Sequence, residues 1–258
     1  MLCVVVGVYG VTQLRDVVYM VCAGSSTIKR FNATTHQPLT AINVRGLSDL
    51  CDIVACERTS QLYVAEYKRC VWRVSTDGTD IKHWLPKSPD DTFIPYTLSV
   101  TSTRLLVTCD TRQLRQFDAD GDELRRVQLP DHRPQHAVES PTGTFIVSLN
   151  NTQLEQRQVV EVNTGGEVLR QFSGSRLPSL GLAPHVAVDS HGNIFVADWH
   201  GRHILLLDDH LSLRRVIIDE HQLNYQRPPW RLCYREDKGQ LFVVLLQGGV
   251  AVFDVLCR

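Results

Sequence analysis

The chain has 258 residues, with 27 basic against 28 acidic side chains for a formal net charge of −1, and 43% of it is hydrophobic. A single domain of that length buries roughly three quarters of the surface its unfolded chain exposes, so core size sets no limit on stability. The even charge balance excludes binding to nucleic acid or membranes through overall charge alone, and the prolines and glycines are too dispersed for a linker or low-complexity tract.

The opening run Met1–Val6 is apolar but has neither a basic flank nor a spanning length. It therefore reads as neither a signal peptide nor a transmembrane helix. From there an apolar triplet recurs along the whole chain. It appears as Val18-Tyr19-Met20, Leu62-Tyr63-Val64, Leu105-Leu106-Val107, Phe145-Ile146-Val147, Ile194-Phe195-Val196 and Leu241-Phe242-Val243, at spacings of 40–49 residues. Short apolar runs bounded by polar turns are the signature of strands. A second run follows each triplet: Ile28–Phe31, Val71–Val74, Leu114–Phe117, Val159–Val162, Ile204–Leu207 and Val250–Phe253. Polar turns such as Ser75–Gly78 and Asp118–Gly121 close these runs, and further strands follow at Glu123–Gln128, Glu167–Phe172 and Leu213–Ile218.

Six repeats of about four strands predict an all-β fold, a six-bladed β-propeller. One blade cannot bury both of its faces, whereas packing between two neighbours does so. The predicted blades are residues 7–45, 46–88, 89–130, 131–175, 176–220 and 221–258, forming a single domain over 1–258. The last repeat lacks a fourth strand of its own, so Leu2–Val6 is expected to supply it, closing the ring and covering an exposed edge.

The clearest unit is Ala183–Asp208, with Pro184, the strand Val186–Asp189, the turn Gly192-Asn193, the strand Phe195–Asp198, then Arg202, Ile204 and Asp208. This unit resembles an NHL repeat, the module found in tripartite-motif proteins. Leu62–Ser75 is similar to it, with Glu66 in place of an aspartate, and the other four units share its hydrophobic spacing. The resemblance implies a platform for protein interaction, of the substrate-recognition kind used in ubiquitin-ligase systems. These 258 residues hold no RING, B-box or coiled-coil segment, so transfer of ubiquitin is not carried over with it.

The resemblance also raises two alternatives. Some NHL domains bind RNA, and Arg112, Arg115 and Arg202 are the candidate contacts, within basic clusters that include Arg125-Arg126 and Arg214-Arg215. Related propellers are metal-dependent enzymes. An amidating-lyase-like site needs several axial histidines, and His136 and His185 are the channel-mouth candidates, with Tyr9, Ile53, Tyr96 and Leu232 at the comparable position of the other blades. Two imidazoles fall short of the three protein ligands typical of catalytic zinc. A lactonase-like cage could draw on Glu66, Asn150, Asn193 and Asp198, although aspartates in these turns are suited to capping backbone N–H groups. No catalytic residue, metal or cofactor is therefore assigned.

Eight cysteines occur without a Cys-x-x-Cys pair, most of them in apolar runs, and are expected to be reduced core thiols in the cytoplasm. The sequons Asn32-Ala33-Thr34 and Asn150-Asn151-Thr152 would matter only in a secreted chain. For protein recognition the candidates are Tyr67, Tyr96, Trp199 and Trp230, aromatic residues near strand ends, while Trp72 and Trp84 are expected to wedge between blades. The expected state is a monomer that engages a protein partner and no membrane.

Overall fold

The computed structural model describes residues 7–44, 46–86, 94–101, 103–129, 133–151, 156–172, 184–223, 227–246 and 248–255. Among these, every element but one short 3-10 turn at Glu236–Lys238 is a strand. Blade one comprises β1 (Val8–Leu14), β2 (Val17–Cys22), β3 (Thr27–Asn32) and β4 (Pro38–Asn43). Blade two follows with β5 (Leu50–Cys56), β6 (Gln61–Glu66), β7 (Cys70–Ser75) and β8 (Ile81–Leu85). Blade three holds β9 (Pro95–Val100), β10 (Leu105–Cys109), β11 (Gln113–Phe117) and β12 (Glu123–Gln128). Blade four holds β13 (Arg133–Glu139), β14 (Phe145–Asn151), β15 (Gln156–Val162) and β16 (Val168–Phe172). Blade five is β17 (His185–Val188), β18 (Ile194–Asp198), β19 (His203–Leu207) and β20 (Leu213–Ile218). Blade six has β21 (Pro229–Arg235), β22 (Gln240–Leu245) and β23 (Val250–Asp254).

Each sheet is an antiparallel meander, and together they form the six-bladed β-propeller that the repeat implies. The segment Leu2–Val6, expected as the fourth strand of blade six, lies outside the described residues. The first strands touch in a closed circle, β1 to β5, β9, β13, β17, β21 and back to β1, so they line the axis. Fourth strands face solvent: β4, β12, β16 and β20 each bury a single residue.

Burial explains the recurring triplets. A second strand is covered on both faces by adjacent blades, so β10, β18 and nearly all of β2, β6 and β22 are buried at successive positions. Apolar side chains at every position, rather than alternate ones, are what such a strand requires. The core is accordingly six separate clusters, one between each pair of neighbours. Tyr19 packs with Ile53 and Val64 between blades one and two. At the junction of blades six and one, Phe242 and Val244 pack against Val18 and Met20, so the ring is closed by apolar contact there. Trp72 and Trp84 both pack between blades, Trp84 against the Tyr63 ring at 4.6 Å.

The turns follow from aspartate and glycine chemistry. Asp189 Oδ1 accepts the backbone N–H groups of His191 and Asn193, and Asp208 Oδ1 those of His210 and Ser212. Between Asp189 and Asn193 the chain reverses through Gly192 at φ +84°, a conformation open to glycine at no steric cost. All six described cysteines are free thiols.

Candidate functional site

In a meander each first strand begins at the face where the turn between second and third strands also lies. That shared face, the entry face, therefore collects the starts of β1, β5, β9, β13, β17 and β21 together with turns such as 67–69 and 199–202. Five of the six first strands carry a β-bulge close to their start, which the register places at Tyr9, Cys51, Tyr96, Gln135 and Trp230. A bulge inserts one unpaired residue, bends the strand and re-aims a side chain. Here it turns three aromatic residues and a cysteine toward the mouth of the channel.

The bulges also shift the register. Beyond them, Gly10, Asp52, Thr97, His136, His185 and Arg231 pair with Val21, Ala65, Thr108, Ser148, Ala197 and Val244, the same position of each second strand. These six residues form one level around the axis. The sequence reading placed Tyr9, Ile53, Tyr96 and Leu232 level with the two histidines, and each of those is one residue out of register, because a bulge is invisible in hydrophobic spacing.

Most of this ring is committed to joining blades. Asp52 Oδ2 accepts the Leu98 N–H at 2.8 Å, His136 Nδ1 that of Val186 at 3.4 Å, and His185 Nδ1 that of Leu232 at 3.2 Å. All three bonds run to the residue after the next blade's ring position. Thr97 donates its hydroxyl to the Gln135 carbonyl at 2.9 Å. Because each histidine accepts at Nδ1, its proton sits on Nε2, and in His136 that group donates to the Leu98 carbonyl at 3.3 Å. The two rings stack with centroids 3.5 Å apart.

Burial and charge decide protonation here. Burial, reinforced by nearby Arg231, holds His136 down to about 3. His185 is pushed well below the usual imidazole value by burial, by His136 and by Arg231. Both are neutral at physiological pH. Burial raises the Asp52 carboxyl, and Arg231 is the main influence opposing it.

Arg231 differs from the rest of the ring. It is 8% exposed, and its Nε is buried without a hydrogen-bond partner. No hydrogen bond or ion pair joins its guanidinium to any described residue; its described contact is with the Trp230 ring, 5.8 Å from the centroid. Arg231 borders two cavities. One, about 260 Å³, runs toward the far end of the channel past Gln13, Glu57 and Arg235.

The other cavity, about 350 Å³, opens at the entry face with Arg231 at its inner end. Tyr9, Tyr67, Tyr96 and Trp230 form its walls, together with Cys51, and Asp49 joins the lining. Three of the four aromatic residues singled out for protein recognition thus meet in one place. Tyr67 and Tyr96 face each other at 6.3 Å, and Lys68 lies 5.1 Å from the outer Tyr67 ring. Burial pushes the Cys51 thiol up to about 12, and it donates weakly to the Ala65 and Tyr96 carbonyls. Tyr9 and Arg231 were missed as site residues. Tyr9 is itself a bulge residue and Arg231 follows one, so neither stands at a fixed offset from the second-strand triplets that hydrophobic spacing reveals.

The remaining candidates lie elsewhere. Trp199, in a blade-five turn beside His200, does not line this cavity. Arg115 is buried and paired with Glu123, which also binds Arg126. Arg112 and Arg202 stand at equivalent entry-face turns with φ of 61° and 51°, and neither is without a partner. Of the possible cation-cage residues, Glu66 accepts from Arg69 and the Trp72 indole, and Asp198 from the His200 and Gly201 N–H groups. Asn193 donates to Asp189, and Asn150 lies in β14. Among the described residues no group of three or more His, Cys, Asp or Glu is placed to hold a metal.

No protein-family model matches the chain, and no curated protein matches it in sequence. Solved structures do match in fold. A gluconolactonase-like propeller superposes with a TM-score of 0.73 at 12% identity, over 99% of this chain and 92% of that one. Virginiamycin B lyase from Staphylococcus aureus gives 0.66 at 12% identity, covering 98% and 86%. The WD40 propeller domain of Doa1 gives 0.65 at 14%, covering 97% and 93%. At such identities the likeness establishes the propeller and leaves function to the residues.

Proposed function

We propose that this chain is a non-catalytic binding module of the NHL type whose partner is another protein, serving as the substrate-recognition portion of a ubiquitin-ligase system. The observation that carries the reading is the convergence of Tyr9, Tyr67, Tyr96 and Trp230 from four blades on one cavity. The few residues that carry most binding energy at protein interfaces are enriched in tyrosine, tryptophan and arginine and cluster in well-packed central pockets. Tyr9 and Tyr67 are also the large aromatic side chains left exposed among the described residues, at 39% and 43%.

Two groups suited to chemistry are restrained by their surroundings. His136 has both ring nitrogens hydrogen-bonded, which leaves no lone pair for a metal or for a proton in transit. Cys51 stays a thiol at neutral pH, since burial holds it at about 12. RNA is the less favoured partner, because Arg115 is closed off by Glu123 and the other candidate arginines have partners of their own. Six free thiols suit a reducing compartment such as the cytoplasm. Among the described residues no helix is long and apolar enough to cross a membrane.

Selection of a displayed peptide library on the intact chain tests the proposal. Tyr67→Ala and Tyr9→Ala are each expected to weaken the selected peptides about tenfold or more, and Trp199→Ala to leave them unchanged. Peptides that bind Tyr67→Ala as tightly as the wild type would remove the basis of this reading. So would retention of RNA in place of any peptide.

A further inference from the structure

We propose that the ligand of the entry-face cavity carries a carboxylate, which Arg231 grips in a salt bridge. The inference rests on the entry-face cavity being the binding site and adds the chemistry of what enters it.

The ring itself supplies the reasoning. Asp52, Thr97, His136 and His185 all spend a side-chain atom on a bond to the next blade. Arg231 occupies the equivalent place with a guanidinium that bonds to no described residue. A charge taken out of water without a partner is strongly disfavoured, yet this one is 8% exposed with a buried, unpartnered Nε. Asp52 is the buried carboxylate closest to hand, but it forms no ion pair with Arg231. Its oxygens are taken by the N–H groups of Ile53 and Leu98. The Trp230 ring lies against Arg231, its centroid 5.8 Å from the guanidinium carbon. A buried cation without an acceptor, bordering an aromatic-walled cavity, calls for one brought by a ligand.

The charge count favours a carboxylate over a phosphate. Among the described residues lining the cavity Arg231 is the single cation, and Asp49 contributes a carboxylate of its own. A phosphate dianion or nucleic acid backbone would meet one positive charge and one negative one, whereas such ligands gather several cations. A planar carboxylate matches the guanidinium fork with two parallel hydrogen bonds. The tyrosine walls then suit an apolar or aromatic group next to it. A peptide offers this combination either at its C-terminus or at an aspartate or glutamate beside a large side chain.

Ligand-observed NMR titration of the intact chain with four probes tests the proposal: N-acetyl-phenylalanine, its amide, N-acetyl-phenylalanyl-glutamate with its α-carboxyl amidated and its side-chain carboxyl free, and phenyl phosphate. N-acetyl-phenylalanine is expected to bind about tenfold more tightly than its amide. The preference should vanish in Arg231→Gln, and Tyr67→Ala should weaken acid and amide alike. Binding of the glutamate probe as well as the acid assigns the carboxylate to a side chain, and binding of the acid alone assigns it to a C-terminus. The acid–amide comparison on the wild type needs no variant, so a poorly folding Arg231→Gln does not spoil the test. Equal affinity for acid and amide overturns the proposal, as does tighter binding of phenyl phosphate or no binding of the acid. If acid and amide bind equally but both depend on Tyr67, the cavity survives as the binding site and the carboxylate does not. If neither depends on Tyr67, both fall.

Discussion

Acidification from pH 7 to pH 5 is expected to cost the fold about 2 kcal/mol through His136 alone, with His185 adding in the same direction. In the unfolded chain a histidine titrates near 6.5, whereas burial and Arg231 hold folded His136 down to about 3. As pH falls below 6.5 the unfolded chain takes up a proton that the folded chain refuses. Stability is therefore fully present above that value and drains away toward the folded value. Two groups act the other way. His203, beside buried Asp198, has its folded value raised despite its own burial, so its contribution grows on acidification and is lost as pH rises through that value. Asp52, raised by burial, also takes its proton earlier in the folded state than in the unfolded one. The histidine pair is isolated by comparing the wild type with a double variant, His136→Gln and His185→Gln. The wild-type melting temperature should fall by several degrees, about 4–8 °C for 2 kcal/mol in a domain of this size. The double variant should start lower and show a much shallower slope. Parallel slopes would mean that the stacked imidazoles are not what acid attacks.

A single methyl group at Gly10 is expected to cost about 1–3 kcal/mol, the usual range for overpacking a tight interior. Gly10 is the blade-one member of the axial ring. A Cβ there would lie 2.8 Å from the Ile53 backbone nitrogen and 3.1 Å from the Asp52 Cα and Oδ1. Backbone atoms cannot swing aside as a flexible side chain would, so the inner strands of blades one and two would be forced apart. Asp52 holds its bond to blade three from this spot, so the damage should spread around the ring. The urea midpoint of Gly10→Ala reads the effect directly. A midpoint equal to the wild type would mean that these strands pack less closely than described.

The fold was legible in the sequence for a specific reason. A second strand buried on both faces must be apolar at consecutive positions, so triplets such as Leu62-Tyr63-Val64 and Ile194-Phe195-Val196 stand out at a regular spacing. Strands β3, β7, β11, β15, β19 and β23 contain the runs read from that spacing. The site was only half legible. Tyr67, Tyr96 and Trp230 drew notice as aromatic residues near strand ends, and they do meet. Tyr96 and Trp230, like Tyr9, reach the cavity from bulges in β9, β21 and β1, set by local backbone pairing that leaves no mark on hydrophobic periodicity. The same bulges hid the axial ring, so Arg231 sat one position before the residue expected to line the channel, Leu232. Arg115 misled in the opposite way. A basic residue near others reads as a patch, whereas Glu123 on the adjacent strand neutralises it.

Amide chemical-shift mapping of a selected peptide on the isotope-labelled chain is the most direct test of the entry-face cavity as the binding site. The account predicts shifts centred on the bulges at Tyr9, Cys51, Tyr96 and Trp230, on the Tyr67 turn and on Arg231. Shifts confined to the fourth strands, or centred on Trp199 in blade five, would contradict it.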